Sequence, residues 1–154
     1  MDPTQIKGYL PSELAQLTEM IDFTISDAKV GGSIDNQFSG MSKLTSLRLD
    51  ENNFIGPFPD SLGTHNTLLR ELIMNGNELD GQIGQTLSRL TNLKNLQIRR
   101  NLLAGEIPTA ISNLNLLGKI RNIVTIYCDH LFIGSVFSNF LFLLHLRING
   151  PKKQ

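Results

Sequence analysis

The stretch Leu93-x-x-Leu96-x-Ile98-x-x-Asn101-x-Leu103-x-Gly105-x-Ile107-Pro108 decides the fold, because the chain writes it four times. Upstream it reads Leu69-x-x-Leu72-x-Met74-x-x-Asn77-x-Leu79-x-Gly81-x-Ile83, and before that Leu44-x-x-Leu47-x-Leu49-x-x-Asn52-x-Phe54-x-Gly56-x-Phe58-Pro59. The earliest full copy is Met20-x-x-Phe23-x-Ile25-x-x-Ala28-x-Val30-x-Gly32-x-Ile34. A further apolar residue closes each copy, at Phe38, Leu62, Leu87 and Ile111. Successive Asn-type positions (28, 52, 77 and 101) lie 24, 25 and 24 residues apart, and all six apolar slots of every copy are filled. Composition alone would fill only about ten of the 24. Ile6 to Pro11, with Leu14 and Leu17, fits the second half of a still earlier copy.

Each feature of the unit has a physical reason. In Leu-x-Leu the side chains of a short strand alternate, so two apolar residues face inward and their neighbours outward. The Asn falls where the backbone must turn, and a buried carboxamide there can serve turn amides that lack partners. The Gly supplies a backbone conformation that other residues resist, and Pro fixes φ on the return path. One such unit exposes two apolar flanks and cannot stand alone, so neighbours must share them. Asn52, Asn77 and Asn101 are therefore expected to form a structural ladder. Strands are expected around Phe23–Ile25, Leu47–Leu49, Leu72–Met74 and Leu96–Ile98.

At these residues the chain resembles the extracellular repeats of plant leucine-rich-repeat receptor kinases and their kinase-free relatives. The runs Asn52 to Leu62 and Asn101 to Leu114 carry the Gly-x-Ile/Phe-Pro signature of the plant type. The resemblance covers about residues 4–120. It implies an α/β fold, a right-handed solenoid with a concave parallel β-sheet and convex 3-10 turns, and ligand recognition by exposed strand residues. Some positions depart from the pattern: Ala28 replaces the turn Asn, Asp35 and Gly84 replace Pro, His65 replaces the last Leu, and one residue is inserted near Asn66–Leu69. The family's cysteine-bearing N-terminal cap and its kinase motifs are missing, as Asp22-Phe23-Thr24 is not Asp-Phe-Gly. The chain thus reads as a truncated relative.

The outward strand positions are the candidate partner-binding face. One column reads Asp22, Ser46, Glu71, Asn95, and the next Thr24, Arg48, Ile73, Gln97. The last holds Ser26-Asp27, Asp50-Glu51, Asn75-Gly76 and Arg99-Arg100. The face therefore grades from acidic to basic, with Arg99 and Arg100 suited to a carboxylate, sulfate or phosphate. Against this stands an ordinary solvated surface. Ile73 is expected to be exposed, as a ligand contact or a scattered surface residue.

Chemistry of other kinds is not written here. His65, His130 and His145 have no Ser, Cys or carboxylate spaced for a triad or a metal, so no catalytic residue, metal or cofactor is expected. The single cysteine, Cys128, allows no internal disulfide. The 14 basic and 14 acidic residues cancel, which gives no general attraction to nucleic acid. The start, Met1 to Gln5, has no leader-like apolar run, which alone suggests an intracellular protein, whereas the resemblance implies the membrane or cell surface.

The repeats occupy 1–120, and a non-repeat tail occupies 121–154. Residues 118–154 hold five Lys/Arg against one Asp/Glu, and Leu131 to Leu146 is strongly apolar. It reads as a possible transmembrane helix through 131–148, as a cap on the last repeat, or as spurious sequence. The expected function is non-catalytic binding of a peptide or protein partner, possibly with a co-receptor kinase, on the concave face. An inhibitor of a secreted hydrolase using the same face, or a truncated product without function, are the alternatives.

Overall fold

The computed structural model describes residues 8–106 and three later strands, Thr125–Cys128, Leu131–Phe132 and Arg147–Ile148. Strands β2 (Asp22–Thr24), β4 (Ser46–Arg48), β6 (Glu71–Ile73) and β8 (Asn95–Gln97) pair side by side in chain order, all parallel. The register is strict: Phe23 faces Leu47, Leu47 faces Leu72, and Leu72 faces Leu96. Each strand begins one residue earlier than the sequence suggests. The ladder itself runs on, because Ile25, Leu49 and Met74 donate their N–H groups to the carbonyls of Arg48, Ile73 and Gln97 (2.8–2.9 Å).

A second parallel sheet flanks the first. It is built from β1 (Gly8–Tyr9), β3 (Val30–Gly32), β5 (Asn53–Pro57) and β7 (Glu78–Asp80). The repeat glycine sits within one residue of the strand end, with positive φ at Gly32, Gly56 and Gly81, and it opens β9 (Gly105–Glu106) with positive φ at Gly105. That is the left-handed region the sequence assigned to it. Between the sheets lies a continuous core that includes Leu44, Leu47, Leu49, Phe54, Leu62, Leu69, Leu72, Met74 and Leu79, each with no exposed surface.

The convex return paths are short helical turns. Ser12–Gln16 and Gln85–Arg89 are 3-10 helices, whereas Ser61–His65 is a turn of α-helix, α1. The inserted residue explains the difference. Leu90 N–H reaches back three residues to the Leu87 carbonyl, but Asn66 N–H reaches back four, to Leu62. The extra residue also corrects the sequence alignment. It is Asn66, fully buried, and not the exposed His65, that occupies the slot filled elsewhere by Met41 and Leu90. Asn66 suits that slot by donating from Nδ2 to the Phe38 and Met41 carbonyls, both at 2.9 Å.

Beyond residue 120 the sheet continues. β10 (Thr125–Cys128) lies parallel to β8 with Ile126 opposite Leu96, thirty residues on instead of 24 or 25. β11 (Leu131–Phe132) pairs with β9, and β12 (Arg147–Ile148) with β10. The two ends of the anticipated membrane span, 131–148, are therefore strands whose backbone groups join the repeat ladders. Residues 133–146 lie outside the described residues. Among the described residues no helix is long and apolar enough to cross a membrane.

Candidate functional site

The turn after each concave strand sets the rim of the site. The residues Asp27, Glu51, Gly76 and Arg100 occupy one slot in successive repeats, and all four have positive φ, between 51° and 63°. Their conformation lets Asp27, Glu51 and Gly76 donate to the carbonyls of Asp50, Asn75 and Arg99 in the next repeat. Only Gly76 adopts it without cost, and it does something further. A Cβ there would come within 2.5 Å of the Glu51 carboxylate. The bare glycine leaves room for Glu51 to pass over repeat three and pair with Arg100 of repeat four.

Directly beneath the rim runs the asparagine ladder. Asn52, Asn77 and Asn101 are all buried. Asn77 Oδ1 accepts from Phe54 N–H (3.1 Å), and its Nδ2 donates to the carbonyls of Leu49 (2.9 Å) and Met74 (3.2 Å). Asn101 repeats this with Leu79 N–H, Met74 and Ile98. Asn52 serves two amides, Ala28 N–H (3.1 Å) and Val30 N–H (3.2 Å). The repeat that lacks its own Asn turns differently, with Lys29 as well as Asp27 at positive φ.

The concave face itself is knit by side chains. Glu71 is its hub: Arg48 donates to both its oxygens (3.0–3.2 Å), Ser46 Oγ to Oε2 (3.2 Å), and Asn95 Nδ2 to Oε1 (3.0 Å). Burial pushes the Glu71 carboxyl up. The hydrogen bonds from Arg48, Asn95 and Ser46, with the Arg48 charge, outweigh that and hold it below its usual value of 4.5. From Asn95 the chain goes on. Gln97 donates to Asn95 Oδ1 (3.3 Å), Asn75 to Gln97 Oε1 (3.1 Å), and Arg99 N–H to Asn75 Oδ1 (2.9 Å).

The structure thus brings Arg48, Glu71, Asn75, Gln97 and Arg99 into one network. Ser46 and Asn95, members of the first outward column, belong to it as well. Asp22 and Thr24 stand exposed on the outermost strand, with Thr45 Oγ1 donating to Asp22 (3.2 Å), while Asp50 accepts from Ser26 (3.0 Å). Ile73 corrects an expectation. It is only 8 % exposed, flanked in register by the long side chains of Arg48 and Gln97. The acidic-to-basic gradient is also softened, since Arg48–Glu71 and Arg100–Glu51 pair opposite charges across repeats. Among the described residues no group of three or more His, Cys, Asp or Glu is placed to hold a metal.

Comparison with known proteins agrees with this architecture. The family model described as Leucine Rich Repeat matches residues 43–65 and 92–114. Pollen receptor-like kinase 2 of Arabidopsis thaliana is 41% identical over 112 residues, covering 72% of this chain and 16% of that protein. Receptor-like kinase TMK4 of the same plant is 32% identical over 104 residues, covering 67% of this chain and 11% of its own length. The chain therefore spans less than a fifth of these curated relatives. Among solved structures, a plant ice-binding protein superposes with a TM-score of 0.72 and 30% identity, over 84% of this chain and 40% of that one. The Arabidopsis receptor kinase HAESA, in complex with the peptide hormone IDA and the co-receptor SERK1, superposes with a TM-score of 0.69 and 25% identity. That match covers 82% of this chain and 24% of the other. Repeat, ladder, sheet order and relatives converge: the chain belongs to the leucine-rich-repeat proteins and is built like the repeat segments of plant receptor-like kinases and receptor-like proteins.

Proposed function

We propose that this segment is a non-catalytic recognition module that binds a peptide or protein partner on the concave face of β2, β4, β6 and β8. One observation carries the reading. The outward side chains of four adjacent strands form a continuous polar surface, fixed by hydrogen bonds between repeats, and among the described residues no element packs over it. Fixed side chains lose little further freedom when a partner docks, which favours affinity. The HAESA complex supports the reading, since a solenoid of the same build there holds a peptide hormone and a co-receptor. A place at the cell surface, and a co-receptor kinase as a second partner, follow from the same resemblance.

The outer flank fits recognition of a repeating surface such as ice poorly. Its exposed positions Lys29, Asn53, Glu78 and Leu102 change chemistry at every repeat. The test is selection of linear twelve-residue peptides on the immobilised full chain. Peptides whose binding is lost in Arg48→Glu but kept in Glu78→Lys support the concave site. Failure to enrich any peptide, or loss only in Glu78→Lys, overturns it.

A further inference from the structure

We infer that Asn75–Gly76, on the rim between repeats three and four, is a self-modification site: its carboxamide converts to an aspartyl or isoaspartyl link when these repeats part, and the closed fold holds the reaction back. The slot after each concave strand is filled by Ser26-Asp27, Asp50-Glu51, Asn75-Gly76 and Arg99-Arg100. Only the third pairs a side-chain amide with a following residue that has no Cβ to hinder an approach. There the Gly76 nitrogen, once it gives up its proton, can attack Asn75 Cγ. The new C–N bond closes a succinimide ring, and the Asn75 NH2 leaves with that proton as ammonia. Water then opens either ring carbonyl. One opening leaves an aspartyl side chain, and the other routes the main chain through the former side-chain carbonyl as an isoaspartyl link. Water is the one co-reactant, and it reaches this half-buried rim.

In the closed fold every reacting group is held by repeat four. Gly76 N–H donates to the Arg99 carbonyl (2.8 Å), which covers the proton that must leave. The Asn75 carboxamide is pinned at both ends, with Oδ1 accepting from Arg99 N–H (2.9 Å) and Nδ2 donating to Gln97 Oε1 (3.1 Å). Repeat two fixes the main chain from the other side, as the Asn75 and Gly76 carbonyls accept from Glu51 N–H (2.8 Å) and Asn52 N–H (3.2 Å). Ring closure therefore needs the kind of opening that lets a protected amide exchange its proton, and its rate follows how often repeats three and four part. The product does not fit the place it leaves. An aspartyl side chain is ionised at neutral pH and can only accept, so Gln97 Oε1 loses its donor. Flipping Gln97 would instead set its oxygen against Asn95 Oδ1. The new charge also stands beside the Glu51 carboxylate, which lies within 2.5 Å of where a Cβ on Gly76 would be. An isoaspartyl link lengthens the main chain just ahead of Gly76 and Asn77, whose N–H groups must reach the Arg99 and Arg100 carbonyls. A chain that has opened and reacted is thus marked.

The experiment incubates the full chain at neutral pH, in buffer and in unfolding urea. Tryptic cleavage after Arg70 and Arg89 isolates the pair, and fragment masses follow the gain at Asn75 when NH2 becomes OH. An isoaspartyl methyltransferase assay counts the isoaspartyl share. Conversion at Asn75 should be at least about tenfold slower in buffer than in urea. Gly76→Ala should slow it in urea, where only the added methyl group matters. Asn101→Ala removes a carboxamide that bonds the Met74 carbonyl and Leu79 N–H across the same junction. It should speed conversion severalfold in buffer and leave the rate in urea unchanged. On the intact parent, hydrogen exchange at Gly76 N–H should be slowed by the same factor as conversion. The marking itself is read in Asn75→Asp, which should melt below the parent. Equal conversion in buffer and urea, or slow conversion while Gly76 N–H exchanges freely, would overturn the gating. Melting of Asn75→Asp with or above the parent would overturn the marking.

Discussion

Replacing Asn77 by Ala tests the ladder at its middle rung. The side chain makes four bonds, but they are not equally exposed to loss. The Leu49 carbonyl also accepts from Asn52 Nδ2 (3.1 Å), the Met74 carbonyl from Asn101 Nδ2 (2.8 Å), and the Asn75 carbonyl from Glu51 N–H (2.8 Å). Those three acceptors keep a partner. Phe54 N–H, buried, loses the oxygen it turns toward. Stranding one buried donor costs about 1–3 kcal/mol, with the lost net hydrogen bonding at the lower end of that range again. The sum is about 2–4 kcal/mol, or a drop in Tm of about 4–16 °C for a chain of 154 residues. Circular dichroism melts of the parent, Asn77→Ala and the exposed control Lys94→Ala measure it. A drop confined to Asn77→Ala is expected. Equal melting of the two variants would refute the reasoning.

Three further outcomes follow from the same geometry. Asn66→Leu should stay within about 1 kcal/mol of the parent or exceed it, because the Phe38 and Met41 carbonyls keep their backbone donors and the buried Oδ1, which has no partner, disappears. Chemical denaturation checks this. Gly76→Ala should cost about 1–2 kcal/mol from its φ of 63° and should also break the Glu51–Arg100 pair, visible as loss of the salt dependence that this pair contributes. Glu71→Gln should narrow its stability gap to the parent as pH falls. The Glu71 carboxyl lies below 4.5 in the fold, so its contribution is fully present above the unfolded value and is lost as pH drops through the folded one. Melting curves of the two that run parallel from pH 7 to pH 3 would contradict this.

The sequence carried the strands, the glycine turns and the asparagine ladder because each repeats with the period of the chain. Where one residue breaks the period, the reading slips. The period puts His65 in a slot that α1 hands to Asn66, as the Asn66–Leu62 hydrogen bond and the burial of Asn66 show. β10 follows β8 at a spacing of thirty, which hides it from a search at 24. Ile73 sits at an outward position by alternation, yet the reach of Arg48 and Gln97 beside it decides its burial. The columns of the concave face were legible. Their network was not, since which carboxamide meets which oxygen depends on side-chain geometry that spacing does not encode.

The most direct measurement of the central claim is a two-dimensional nitrogen–proton NMR titration of the full chain with the tightest selected peptide. Binding on the concave face predicts shifts at Arg48, Glu71, Ile73, Asn95 and Gln97, including the side-chain amides of Asn95 and Gln97. Shifts confined to the outer flank, at Asn53, Glu78 and Leu102, would contradict it.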